Sequence, residues 1–347
     1  MAYLLNRWYA AAWSGEVARE PFMRVLFDKP VLFYRTESGD VTALSNVCPH
    51  RFAPLNRGKL FGDTIRCPYH GLRFGPDGRC VQNPIGKGLL PAKAQLTRYA
   101  TIEAHGVIWI WHGPAPADAA KLVPFDFLDE HDRYDFVDGY IAIDANYALV
   151  SDNLLDLSHA EFLHPNLSNP GANQRVRFTA QTDGETVRAL NARPGEPPTV
   201  LLRAALGDGV GDTIDMWSNV TWNPPALLCV EVGGTARGAP KEAGVNTMAA
   251  HLITPETAVR SHYFWKLGRT YRRGDPDFSA RVQAMVSSAF VEEDKPIIEA
   301  QQHNMGDVGF EQLDPVYLES DGAAARARRI MNRLLAENAA DALIAPV

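Results

Sequence analysis

Cysteine and histidine alternate at two places in the chain, Cys48-Pro-His50 and, after sixteen intervening residues, Cys67-Pro-Tyr-His70-Gly71. Each half offers one thiolate and one imidazole. A common zinc finger instead groups its cysteines together and its histidines together. The alternating order suits a dinuclear iron–sulfur cluster, with Cys48 and Cys67 on one iron and His50 and His70 on the other. Replacing two anionic thiolates by neutral imidazoles raises the reduction potential above that of all-cysteine clusters. A mononuclear zinc site is the plain alternative. The remaining cysteines, Cys80 and Cys229, match no ligand pattern and read as small buried apolar residues.

A second set of candidate ligands lies in residues 144–166. On a helix, Asp152, Asp156 and His159 are spaced i, i+4, i+7 and share one face, while Leu154, Leu155 and Leu157 turn elsewhere. His164 is five residues past His159, so an undisturbed helix could not aim both at one ion. Either a π-type bulge or a helix end must intervene, and Pro165 favours an end. Two histidines with one carboxylate form the facial triad of non-haem Fe(II) oxygenases, which leaves coordination positions open for O2. The carboxylate stays open between Asp152, Asp156 and the distant cluster Glu292-Glu293-Asp294. The alternative without chemistry is a solvated acidic helix face beside a satisfied core histidine.

The elements that must position these groups fall into two parts. From Pro30 to about His112, the segments 31–34, 41–44 and 107–111 read as short strands between Gly, Pro and Asp turns, a small all-β unit. Gly113-Pro-Ala-Pro-Ala-Asp118 is the linker candidate, which gives expected domains of 1–115 and 116–347. Beyond it, residues 145–164 read as helical, and 176–180, 199–203, 213–222, 227–232 and 251–253 as strands. A helix over 277–303, interrupted near Pro296, follows, and then one over 322–338 with Ser320 or Asp321 as candidate N-cap. The fold class is therefore α+β, with an antiparallel sheet and a few helices in the second part.

Composition narrows the function. With 347 residues, 46% hydrophobic and 22% charged, the chain has the make-up of a globular protein of two domains. A net charge of −7 without a basic block excludes the footprint of a nucleic-acid binder. The longest apolar stretch, Gly106–Trp111, is too short to span a bilayer. No secretory signal is visible at the N-terminus, so a cytoplasmic location and no membrane partner are expected.

At this point the chain resembles the Rieske non-haem iron oxygenases, in the group of the vanillate and dicamba O-demethylase oxygenase components. The segments Asn6–Tyr9, Cys48–Leu55, Cys67–Leu72, Asp152–His159, His251–Thr257 and Glu293-Asp-Lys295 carry the resemblance, which spans nearly the whole chain. It implies an N-terminal Rieske [2Fe–2S] domain and a catalytic domain with a curved antiparallel sheet and flanking helices, a helix-grip-like arrangement. It also selects Asp294 as the third ligand beside His159 and His164, with Glu292 and Glu293 as flanking charges. Asp156 is implied to hydrogen-bond His159 and, across a subunit boundary, His70 of a neighbouring cluster. Asn153 is implied to sit close to the iron, and the assembly to be a homotrimer.

The expected function is that of a terminal monooxygenase that O-demethylates a methoxylated aromatic with O2. Electrons would come from NAD(P)H through a separate reductase, with or without a ferredoxin, because no G-x-G-x-x-G turn is placed to bind a nucleotide here. An aromatic-ring or alkyl hydroxylase or dioxygenase with the same metals is the alternative, and a pure electron-transfer Rieske protein the remote one. Candidate pocket residues are Trp217, Val230, His251, Met285 and Phe290. His251 matches a pocket histidine of the dicamba enzyme, whereas Val230 and Met285 stand where that enzyme has asparagine and tryptophan. A different, more apolar aromatic is therefore expected.

Overall fold

A computed structural model describes residues 3–344 of the chain. It forms two compact units, Tyr3–Leu122 and the part from Val123 onward. This division and the expected break at 115/116 both lie between the strands Val107–His112 and Asp135–Ile143.

The first unit is all β, with three small antiparallel sheets. The strand Lys29–Arg35 shows how the sequence builds it. Successive side chains point to opposite faces, so Val31 and Phe33 join Tyr9, Ile108 and Ile110 in one core. Leu32 and Tyr34 join Leu44, Ile65 and Phe74 in a second core, which also contains Cys48 and Cys67. A single strand buried on both faces thus supports the loops that carry the thiols. Each large apolar side chain so buried contributes about 1.5–3 kcal/mol.

The second unit is built on a seven-stranded antiparallel sheet. Its strands, in spatial order, are Asp135–Ile143, Arg260–Arg269, Val245–Thr257, Leu227–Ala236, Ile214–Asn223, Thr186–Glu196 and Arg177–Asp183. The fold class is the α+β arrangement expected. Helices Tyr147–Leu155, Pro276–Ser288, Lys295–Met305 and Gly322–Ile344 accompany the sheet. No helix among the described residues is long and apolar enough to cross a membrane.

One local expectation is corrected. Residues 199–203 are not a strand but the start of the helix Val200–Leu206, whose N-cap Thr199 accepts a hydrogen bond from the Leu202 amide at 3.4 Å. Thr199 and Val200 supply the β-like signal, while the threonine cap and the run Leu-Leu-Arg-Ala-Ala decide for helix. Of the two interruptions expected near His159 and His164, the helix end favoured by Pro165 is the one found, the turn Ala160–Leu163 stopping at His164 with φ −119° and ψ 75°. A π-helical turn occupies Ala289–Asp294 instead, between the helices Pro276–Ser288 and Lys295–Met305, where Pro296 falls in the first turn of the latter.

Candidate metal centres and substrate cavity

In the first unit, Cys48 and Cys67 open two loops of the same construction. The Cys48 amide donates to Ala53 O at 3.0 Å and the Phe52 amide to Cys48 O at 2.9 Å. Likewise, the Cys67 amide donates to Leu72 O at 2.8 Å and the Gly71 amide to Cys67 O at 3.2 Å. Each loop closes on a left-handed residue, Phe52 at φ 57° and Gly71 at φ 77°. Phenylalanine rarely adopts that conformation, and strain of this kind concentrates at functional sites.

Both thiols are buried, and burial, with Cys67 adding to it, pushes the Cys48 thiol up to about 11. The rings of His50 and His70 meet edge to face with centroids 4.5 Å apart. Nδ1 of His70 is sealed from solvent without a hydrogen-bond partner. An orphaned ring nitrogen beside a second imidazole and two buried thiols is the donor set that a two-iron cluster completes. Cys80 and Cys229 lie in the strands Cys80–Gln82 and Leu227–Ala236, partly buried, and burial raises both thiols; Cys80 packs against the core that contains Cys48 and Cys67.

The second centre is assembled from three elements. The helix Tyr147–Leu155, with Asn146 as N-cap, ends at Asp156, whose φ −114° and ψ 89° break it. Asp156 then caps the next turn: its Oδ1 accepts from the Ser158 amide at 2.9 Å, and its Oδ2 from Ser320 Oγ at 3.1 Å. The break turns His159 and His164 towards each other, with their Nε2 atoms 3.2 Å apart. The π-helical turn brings Asp294 to them, its Oδ1 at 3.4 Å from His159 Nε2 and 3.2 Å from His164 Nε2. Donors bound at about 2.1 Å to one first-row ion stand about 3 Å apart, so the three atoms fit a single metal.

Supporting contacts fix the donors. Nδ1 of His164 hydrogen-bonds Glu293 Oε2 at 2.6 Å, and Asn153 Nδ2 donates to Asp294 Oδ1 at 3.0 Å. Nδ1 of His159 is taken by the backbone carbonyl of Asp156 at 2.5 Å. This corrects the implied role of the Asp156 side chain, whose carboxylate is occupied as a cap and by Ser320. Asp152, the other open candidate, pairs with Arg328 instead. Glu293 is thus more than a flanking charge. Burial alone would lower the His164 pKa, but Asp294 and Glu293 together raise it.

His159, His164, Asp294 and Asn153 open into a cavity of about 170 Å3 that is also lined by Val230, His251, Met285 and Phe290. His251 is buried, its Nδ1 at 2.6 Å from Tyr263 Oη and its ring edge to face with Phe290. Burial, against a weaker opposite pull from Asp294, pushes its pKa down to about 3, which keeps it neutral. Trp217 does not line the cavity. In the strand Ile214–Asn223 its neighbours Met216 and Ser218 do, and alternation sends Trp217 to the other face. There its indole donates to Asn246 and lies against Lys241. It covers Gly233 so closely that a Cβ there would fall 2.3 Å from the ring. Arg193 and Ser218 are cavity residues that no sequence motif marks.

Comparison with known proteins agrees with this geometry. The Rieske [2Fe-2S] domain matches residues 7–95, and the vanillate O-demethylase oxygenase C-terminal domain matches residues 143–337. The dicamba O-demethylase oxygenase component of Stenotrophomonas maltophilia is 36% identical over 96% of this chain and 98% of its own length. The chloroacetanilide N-alkylformylase oxygenase component of Rhizorhabdus wittichii is 38% identical over 95% of this chain and 94% of its own. The crystal structure of dicamba monooxygenase bound to dicamba superposes with a TM-score of 0.91 at 34% identity, covering 98% of this chain and all of that one.

Proposed function

The chain belongs to the Rieske oxygenases of the vanillate and dicamba O-demethylase group, and from that premise we propose that it O-demethylates a methoxylated aromatic. As a terminal oxygenase it uses a Rieske [2Fe–2S] cluster and a mononuclear iron, which when bound supply electron delivery and O2 activation for C–H oxidation. Cys48, His50, Cys67 and His70 are the residues to hold the cluster, and His159, His164 and Asp294 those to hold the iron.

The carrying observation is that the converged His159, His164 and Asp294 donors open into the cavity walled by Val230, Met285 and Phe290. The apolar walls hold an aromatic ring and exclude water. Glu293 and the Asp156 carbonyl fix the two imidazoles by their Nδ1 atoms, which leaves both Nε2 atoms free to ligate. Asn153 holds the Asp294 carboxylate in place.

Electrons come from NAD(P)H by way of a separate reductase, a ferredoxin, or both in sequence. A homotrimer in which a neighbour's cluster serves each iron belongs to the same proposal. In support, Phe52 and Tyr69, which flank the cluster ligands, are 78% and 61% exposed, and Phe162, between the two iron-site histidines, is 83% exposed. Exposed aromatics beside both centres are the kind of surface that docks against another subunit.

The test supplies the purified oxygenase with a surrogate reductase, NADH, O2 and methoxylated aromatics, and measures formaldehyde. Formaldehyde matched to substrate loss is the expected result. A hydroxylated product with its methoxyl intact would favour the hydroxylase alternative. A reducible cluster with no O2-dependent product from any aromatic would leave only electron transfer.

A further inference from the structure

One charged side chain of the substrate cavity has no counter-charge. Arg193 lines the same cavity as His159, His164 and Asp294. Its Nη2 donates to Ser218 Oγ at 2.6 Å, and Ser218 is itself a cavity residue. Its Nε is buried without a partner. Among the described residues no carboxylate lies within ion-pair distance of it. The acid that acts on it most, Glu196, is already held by Arg175 through two contacts of 2.7 Å and by Asn169. Burial lowers the Arg193 pKa, with Glu196 and Arg175 pulling in opposite directions. A partly buried guanidinium with one sealed, unsatisfied N–H is costly unless something completes it.

The backbone is built to aim this side chain. Arg193 is the last residue paired before a register shift in the strand Thr186–Glu196, where it faces Met216, and pairing resumes at Glu196 with Ile214. Pro194 and Gly195 make the bulge, Gly195 at φ 71° with its amide donating to Asp215 Oδ1 at 2.9 Å. Bulges beside active sites re-aim side chains. The Arg193 strand is three steps across the sheet from the His251 strand, about 14 Å at the usual strand spacing. His251, on the metal side, feels the charge of Asp294. The cavity therefore has a metal end and a guanidinium end, with Met216, Val230, Val232 and Met285 among the apolar residues of its wall.

We propose that Arg193, steadied by Ser218, is a specificity-determining residue that binds an anionic substituent, a carboxylate or sulfonate, on the aromatic substrate. The N–H groups that Ser218 leaves free, Nε among them, offer such a group charge-assisted contacts that a neutral substituent cannot match. The inference rests on the O-demethylase reading of the cavity. It also refines the more apolar aromatic expected from Val230 and Met285 to one that is apolar across the ring and anionic at one edge.

The test compares binding of methoxybenzoates and methoxybenzenesulfonates with the matching neutral amides, on the holo-oxygenase, by equilibrium fluorescence titration, with formaldehyde release measured in parallel. The wild type is expected to prefer the anions over the amides by about ten- to hundred-fold. In Arg193→Gln that preference disappears, with amide affinity changed by less than about threefold, and Arg193→Lys keeps a weaker preference. Equal affinity for anion and amide in the wild type, or equal weakening of both in Arg193→Gln, overturns the proposal. Should Arg193→Gln lose the visible absorption of the cluster, the wild-type preference and the Arg193→Lys result decide. Anion-selective binding without formaldehyde would sink the demethylase reading and leave the anchor standing. Formaldehyde made equally well from anions and amides by the wild type would do the reverse.

Discussion

Glu293 accepts a 2.6 Å hydrogen bond from Nδ1 of His164, which fixes the imidazole with its Nε2 turned to Asp294. A carboxylate behind a ligating histidine sets the tautomer and raises the basicity of the ligand. Glu293→Gln is therefore expected to weaken iron binding by about ten- to hundred-fold. Competition with a chelator reads the affinity, and the EPR signal of the cluster serves as control. An unchanged iron affinity would show that the contact orients nothing.

His159→Ala removes one of three converging donors without touching the first unit. The cluster's absorption and EPR signals should persist while O2-dependent product formation is abolished. Persistent turnover would remove the iron from the site drawn here.

Much of this site was legible because its residues form runs. Cys48-Pro-His50, Cys67-Pro-Tyr-His70 and the close pair His159 and His164 lie on short segments whose spacing states their chemistry, whereas the helical spacing of Asp152 and Asp156 misled, because the helix breaks at Asp156. Asp294 comes from the far end of the chain and was reached only through resemblance, since nothing local tells it from Glu292 or Glu293. What separates the three is the π-helical turn, which buries Asp294 and sends Glu293 to the back of His164. The strands Asp135–Ile143, Thr186–Glu196 and Arg260–Arg269 were not legible, because polar residues and a Pro-Gly bulge interrupt their alternation. Arg193 was lost with the second of these.

The strand register that corrects Trp217 makes a paired prediction. Trp217→Phe should leave substrate KM within about twofold, because the ring packs on Gly233 behind the sheet. Met285→Trp puts a bulky indole in place of a thioether in a cavity of about 170 Å3 and should raise KM by about tenfold or more. Steady-state kinetics on one substrate separates the two. A Trp217→Phe effect as large as that of Met285→Trp would contradict the facing assigned to this strand.

His112 gives the first unit a pH dependence. Burial, with Lys29 adding to it, lowers its pKa from the ordinary 6.5 to about 4, and its ring stacks on Phe27 at 3.9 Å. Between those values the unfolded chain binds a proton that the folded chain does not, so stability falls as pH drops from about 6.5 towards 4. His112→Phe keeps an aromatic ring and removes this titration. Thermal unfolding followed by the cluster's visible absorption should show a larger drop between pH 7.5 and 5.5 in the wild type than in the variant. Parallel drops would place the acid sensitivity elsewhere.

Asp156 carries the last prediction, because its carboxylate is not spent on His159. One oxygen caps Ser158 and the other accepts from Ser320, while the backbone carbonyl alone holds the histidine ring. Asp156→Asn keeps a side-chain oxygen for the cap and leaves the carbonyl in place, so His159 should stay oriented and iron content unchanged. If the carboxylate is the bridge to a neighbour's His70, the same substitution should slow electron arrival at the iron. Turnover should then fall at least about tenfold, with both metals retained and the cluster still reduced by the reductase at its normal rate. Stopped-flow cluster reoxidation in the presence of O2 and substrate reads that step directly. Full activity in Asp156→Asn would confine this residue to its role as a cap.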